Sequence, residues 1–182
     1  QKVITLELTQ ELPEEAYRLR ISAGQVSVSA GAEKGYTYAL VTLYQLLVQG
    51  HGTAPACEIE DRPRYPYRSV MLDVCRHFYT AEEVKKIIEQ CALLKMNAFH
   101  WHLSEDQGFR IESRKFPLLN EIGSWRKLSP QDPMVEAGLA EPLARYGGYY
   151  TQEEIREIVA FASDRQIEVI PEIDLPGHCS AI

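Results

Sequence analysis

Beyond residue 68 the chain alternates short apolar runs with amphipathic stretches, and few architectures accept that alternation. Ser69 to Val74 (SVMLDV) is nearly all apolar, as a strand buried on both faces must be. A helix is expected from Thr80 to about Lys95, opened by Thr80 with Glu83 three positions on, the pattern of a capping box. Met96 to Leu103 (MNAFHWHL) reads as a second strand, Thr151 to Arg165 as a second long helix with Glu154 in the box position, and Glu168 to Ile173 (EVIPEI) as a third strand. Strand, helix, strand, loop, helix, strand predicts an α/β fold with a parallel sheet, because parallel neighbours need a crossover between them. The connection from 104 to 150 is rich in Gly, Pro and Ser and carries one expected helical turn near Pro117 to Ile122. Connections of that length inside a domain are functional or disordered.

The first 62 residues follow a different pattern. Three β-rich runs at 3–8, 17–21 and 25–29, the last two joined at Ala23-Gly24, predict a small antiparallel meander. Glu33 to Gln49 places Tyr36, Leu40, Leu43 and Leu47 at spacings of three and four and ends at Gly50, so it reads as a helix that covers one sheet face. One short strand near Cys57 then runs into Pro63 and Pro66, which break regular pairing. The expected organisation is a small α+β domain over 1–62 and a parallel α/β domain over 63–182.

Charge and cysteine usage narrow the partners. The formal net charge is -7 and the basic residues are scattered, whereas nucleic-acid binding draws on clustered Lys and Arg. No apolar run approaches the roughly 20 residues of a membrane helix, and Gln1 opens on a strand pattern without a charged and apolar leader. No nucleic-acid or membrane partner is expected. Cys57, Cys75, Cys91 and Cys179 form no C-x-x-C pair and read as buried free thiols, which leans toward a reducing cytoplasm, with a secreted or periplasmic place the alternative for a chain whose signal has been removed.

In parallel α/β folds the working residues gather beyond the C-terminal strand ends. Polar groups stand at all three: Asp73, Arg76 and His77 after the first, His100, His102, Glu105, Asp106 and Gln107 on and after the second, and Glu172, Asp174 and His178 on and after the third. Each has two readings. Arg76 offers a fork of fixed donors that fits two sugar hydroxyls, or simply pairs with an acid on a neighbouring loop. Asp106 contributes to a site or caps the turn ending in Gly108, and Asp73 touches a ligand or holds its strand end. His178 is aimed by the tight Pro176-Gly177 turn, either at a ligand or at a loop partner. Glu172, after Pro171, fits a structural role better. Trp101 alternates with the two histidines and so faces the core, whereas Trp125 in the long loop either stacks on a pyranose ring or packs within the loop. His100 and His102 share a face, and with His178 they allow a metal-dependent barrel hydrolase as an alternative.

Four blocks carry a resemblance: Leu72-Asp73-Val74-Cys75-Arg76-His77-Phe78, Lys95 to Arg110 (KMNAFHWHLSEDQGFR), Gly147-Gly148-Tyr149-Tyr150-Thr151, and Pro171 to His178 (PEIDLPGH). In that order they closely resemble glycoside hydrolase family 20, the β-N-acetylhexosaminidases and chitobiases. The resemblance implies a (β/α)₈ TIM barrel, here its first three strands, preceded by part of a small α+β domain. It implies a substrate with terminal β-linked N-acetylglucosamine or N-acetylgalactosamine and no cofactor. It also implies substrate-assisted catalysis, in which the sugar's own acetamido oxygen attacks the anomeric carbon. An Asp–Glu pair shares that work in the family. It follows the fourth barrel strand, so it is expected beyond Ile182, and the chain reads as an inactive N-terminal piece.

Carried over residue by residue, Arg76 binds sugar hydroxyls, Asp106 and His178 form a polar network that tunes the acid Glu, and Asp174 supports His178. Glu105 stands where the family often has Asp, so the role of Asp106 is the firmer of the two. Three parallel strands leave open edges, which predicts self-association. A non-catalytic sugar-binding or structural module is the remaining alternative.

Overall fold

The computed structural model describes residues 3–182, and packing divides them into two compact units. The first comprises the chain through Arg68 together with Cys91–Asn97, and the second comprises Ser69–Gln90 and Ala98–Ile182.

The first unit contains β1 (Val3–Leu8), β2 (Tyr17–Ser22), β3 (Gln25–Ala30), α1 (Glu33–Gln49) and β4 (Cys57–Asp61). Its strand order is β1-β3-β2-β4. The expected meander is therefore corrected: β2 and β3 form the hairpin, with Gly24 at φ 77 in the turn, but β1 runs parallel to β3 on that strand's far side. Residues 9–16 are long enough to carry the chain across β3 to β2, and β-periodicity reveals a strand without naming its partner. Tyr17, Leu19, Ile21, Val28 and Ala30 form the core of this unit with Tyr38, Ala39 and Leu43 of α1. Burying a residue such as Leu19 contributes about 1.5–3 kcal/mol.

The second unit is built on β5 (Ser69–Asp73), α2 (Ala81–Leu93, of which residues from Cys91 on are counted in the first unit), β6 (Ala98–His102), β7 (Ser104–Glu105), β8 (Gly108–Phe109), α3 (Leu118–Glu121), β9 (Trp125–Lys127), α4 (Pro133–Glu136), β10 (Arg145–Gly147), α5 (Gln152–Ser163) and β11 (Glu168–Glu172). The main sheet has the order β11-β6-β5 and is wholly parallel, with Ser69, Ala98 and Glu168 level at one end and Asp73, His102 and Glu172 level at the other. Both capping boxes are present. Glu83 N donates to Thr80 Oγ1 at 3.3 Å and Thr80 N to Glu83 Oε2 at 2.7 Å, and Thr151 and Glu154 repeat the exchange at 3.1 and 2.8 Å. Val84 and Ile88, four apart on α2, are fully buried, as are Ile158 and Ala162 on α5.

The connection from 104 to 150 is more ordered than its composition suggests. The expected turn is α3, and two further strand pairs, β7 with β8 and β9 with β10, fold the rest. Pairs of two and three residues are too short to leave a periodicity in the sequence. Among the thiols, Cys75 and Cys91 are buried as expected, whereas Cys57 and Cys179 are partly exposed; all four are free. No helix among the described residues is long and apolar enough to cross a membrane.

Candidate active site

Because Asp73, His102 and Glu172 are in register, the three strands deliver their polar ends to one place. At the end of β5, Asp73 accepts from the backbone N–H groups of Cys75 and Arg76 at 2.9 and 3.1 Å, which shapes the turn, and its second oxygen takes Arg76 Nη1 at 2.7 Å. Asp73 is thus both the strand-end cap and a partner of the guanidinium. Burial works against its charge, but Arg76 and those two N–H groups outweigh it and hold its carboxyl below the ordinary value.

Glu105, in β7, is the hub. It is 1% exposed, yet both oxygens are occupied. Oε1 accepts Asp106 N at 3.1 Å and His178 Nδ1 at 2.5 Å, while Oε2 meets Arg76 Nη2 at 2.6 Å and His102 Nε2 at 3.3 Å. Burial disfavours the carboxylate here too, and the four donors more than compensate, so its pKa lies below the usual value. Asp106 stands beside this hub rather than at its centre. Asp106 is exposed, accepts Ser180 N and Oγ at 3.0 and 2.7 Å, and lies 3.9 Å from His178 Nδ1. Glu105 makes the close contact with His178 instead. Its extra methylene relative to Asp gives it the reach.

Glu172, at the end of β11, approaches both histidines of β6, with Oε2 2.7 Å from His100 Nε2 and 2.8 Å from His102 Nδ1. The His102 approach is a close charge contact that lies outside hydrogen-bond alignment, since neither atom counts as hydrogen-bonded. His102 first, then burial and His100, set the Glu172 carboxyl, which rests below its ordinary value. Asp174 is placed by its backbone N–H on Ser104 Oγ at 2.8 Å. Among the described residues its carboxylate makes no hydrogen bond to His178, whose ring meets Glu105.

His100, His102 and His178 do not assemble as a three-histidine set. Potential ligand atoms within 4.8 Å occur as Asp73-Cys75-His102, His102-Glu172-Asp174 and Glu105-Asp106-His178. Trp125, on β9, lines a cavity together with Asp106, Gln107 and Ser180, and the Arg145 guanidinium 4.1 Å over its ring already covers one face. Trp101 is 1% exposed and packs on Tyr150 with ring centroids 4.7 Å apart.

Arg110 matters to the site in a way the sequence does not announce. It is fully buried, has no carboxylate partner among the described residues, and donates to four backbone oxygens: Val74 and Cys75 at 2.9 and 2.6 Å, and Ser124 and Gly148 at 2.7 and 2.9 Å. The loop bearing Arg76 is tied in this way to both halves of the long connection. Gly108 makes room for it, since a Cβ there would lie 2.4 Å from Arg110 Cζ. His77, on the same loop, contacts the Tyr146 hydroxyl at 3.0 Å. A buried arginine looks like any surface arginine in sequence, and only its place in the 95–110 block hinted at it.

Comparison with known proteins decides the family. The model of the glycosyl hydrolase family 20 catalytic domain matches residues 65–182, and that of domain 2 of the same family matches 1–62. The chain belongs to glycosyl hydrolase family 20. Among its relatives, a β-hexosaminidase of Vibrio furnissii is 44% identical over 98% of this chain, and one of Porphyromonas gingivalis is 45% identical over 93%. The crystal structure of a family-20 exo-β-N-acetylglucosaminidase from Vibrio harveyi, in complex with N-acetylglucosamine, superimposes with a TM-score of 0.87 at 46% identity over 98% of the chain. The chain spans 29%, 22% and 28% of the lengths of these three proteins. The fold is that of the first part of a TIM-barrel glycoside hydrolase.

Proposed function

We propose that the whole protein is a retaining β-N-acetylhexosaminidase that removes terminal β-linked N-acetylglucosamine or N-acetylgalactosamine, and that this chain forms one wall of its sugar pocket. The observation that carries the reading is the convergence of Arg76, Glu105 and His178 from three successive strand ends in a chain of this family. Arg76 is half exposed while both its acidic partners are largely covered, so its remaining N–H groups are presented outward. A planar guanidinium fixed at two corners offers the others to vicinal sugar hydroxyls in a set direction, with little rotamer entropy left to lose. Glu105 anchors Arg76 and His178 at once, so sugar binding and the placement of the imidazole are coupled through one carboxylate.

In this reading the acetamido oxygen of the substrate is the nucleophile and an Asp–Glu pair outside this chain provides orientation and acid–base work. His178 and Asp106 face that pair and bias the acid's protonation. The boundary of the small α+β domain is placed at residue 62. Hydrolysis of a chromogenic β-N-acetylglucosaminide, with no turnover of the matching β-glucoside, is the expected result for the whole protein. Equal turnover of both, or of neither by folded protein, defeats the assignment.

The 182-residue chain alone is proposed to be inactive and to self-associate through the outer edges of β5 and β11, with Met71 on β5 52% and Ile173 just beyond β11 43% exposed. A compact monomer on size-exclusion chromatography counts against that.

A further inference from the structure

His102 is 3% exposed, and each of its two ring nitrogens faces a carboxylate: Nδ1 lies 2.8 Å from Glu172 and Nε2 3.3 Å from Glu105. A neutral imidazole carries one N–H and one lone pair, so in this position one nitrogen would set its lone pair against a carboxylate oxygen. Only the imidazolium turns a positive N–H toward each, as a hydrogen bond to Glu105 and as a close charge contact, out of hydrogen-bond alignment, with Glu172.

The surrounding charges lead the same way. Asp73 at the end of β5 and Cys75 in the loop after it bring side-chain oxygen and sulfur atoms within 4.8 Å of a His102 ring nitrogen, and Glu172 at the end of β11 and Asp174 just beyond it do the same. Arg76 sits on the far side of Glu105, His178 shares that carboxylate, and His100 shares Glu172. Burial pushes the Cys75 thiol up to about 12, so it stays neutral, and its Sγ donates to the His102 carbonyl oxygen at 3.3 Å. Four carboxylates thus face one permanently charged cation, and a proton on His102 is the nearest means of balancing them.

We propose that His102 is a positioning residue, held as an imidazolium that clamps Glu172 to Glu105 and so fixes the carboxylate on which Arg76 and His178 converge. The clamp joins the ends of β6 and β11 through side chains, where the backbone ladder of the parallel sheet has just ended. Its relevance to sugar binding rests on the role proposed above for Arg76, whereas the charge state of His102 does not. Burial opposes the charged ring, but Glu172 and Glu105 outweigh it, and the pKa of His102 is raised above the ordinary histidine value. The charged ring therefore persists to higher pH than an ordinary histidine, and the clamp releases as pH rises through that raised value.

The test uses the full-length protein labelled with ¹⁵N-histidine, with the His102 signals assigned by their loss in His102→Gln. Both ring nitrogens should fall in the protonated range at pH 7 and titrate together above about 6.5, the free-histidine value. A single neutral tautomer at pH 7 overturns the proposal. In kinetics, His102→Gln, which keeps a donor but loses the charge, should raise KM for a β-N-acetylglucosaminide about tenfold while kcat changes less, the mark of lost ground-state placement. An unchanged KM in folded His102→Gln also overturns it. If the wild-type protein turns over no such glycoside, the functional reading fails and the ¹⁵N titration still decides the state of His102. If His102→Gln does not fold, the same titration of the wild-type protein decides, with assignment by His100→Gln and His178→Gln.

Discussion

Replacing Arg110 by methionine probes the tie that holds the Arg76 loop in place. Methionine fills most of the volume but removes donors from four carbonyl oxygens, those of Val74, Cys75, Ser124 and Gly148. Each buried acceptor left unpaired costs about 1–3 kcal/mol. Part of that is offset, because the guanidinium is buried without a counter-ion and its own desolvation already lowers its pKa. Allowing for water reaching some of the carbonyls, a net loss of about 3 kcal/mol is expected, which is about two decades in a local opening constant. Native-state hydrogen exchange reads it directly. The amides of Phe109, Gly148 and Tyr150, which donate to Gly123, Ser124 and Arg110, should lose that protection in Arg110→Met, while amides of the β2–β3 hairpin stay unchanged. Arg110→Lys should fall between, since an ammonium keeps the charge but not the fork. A change below about threefold at all three amides would refute the argument that the arginine joins these segments.

Three further outcomes follow from the same geometry. Glu105→Gln removes the charge that Arg76 and His178 share, and because the Glu105 carboxyl is held below 4.5 in the fold, the stability it contributes is complete above 4.5 and fades as pH falls through the lower folded value. The gap in thermal midpoint between wild type and Glu105→Gln should therefore close on acidification; a gap that is constant from pH 7 to pH 3 contradicts it. Glu105→Asp shortens the side chain and should weaken the His178 contact, measured as a change in the His178 ring chemical shifts, and unaltered shifts would count against Glu105 as its anchor. Thr151→Ala breaks the second capping box and should destabilise the start of α5 by about 1 kcal/mol, seen as faster exchange of the Glu154 and Ile155 amides; equal rates would show the box to be dispensable.

The barrel strands, both capped helices and the strand-end location of the site are all legible in the sequence, because each rests on local chemistry. Thr80 and Glu83, or the run SVMLDV, state their structure within a few residues. Partner choice is not local, so the parallel pairing of β1 with β3 was hidden behind an ordinary alternating pattern. The site was legible as a set of residue types but not as a network. Asp106 and Glu105 are neighbours of like charge, and nothing in their order says that one is buried under four donors while the other is exposed to solvent. Arg110 was equally opaque, since its meaning depends on carbonyls up to 38 residues away in the chain.

The most direct test of the central claim is a crystal structure of the whole protein with N-acetylglucosamine bound. Hydroxyls of the non-reducing sugar are expected within hydrogen-bond distance of the Arg76 guanidinium, with Glu105 still bridging Arg76 and His178 behind it. A sugar held away from the ends of β5, β6 and β11, with Arg76 making contact only to Asp73 and Glu105, would contradict it.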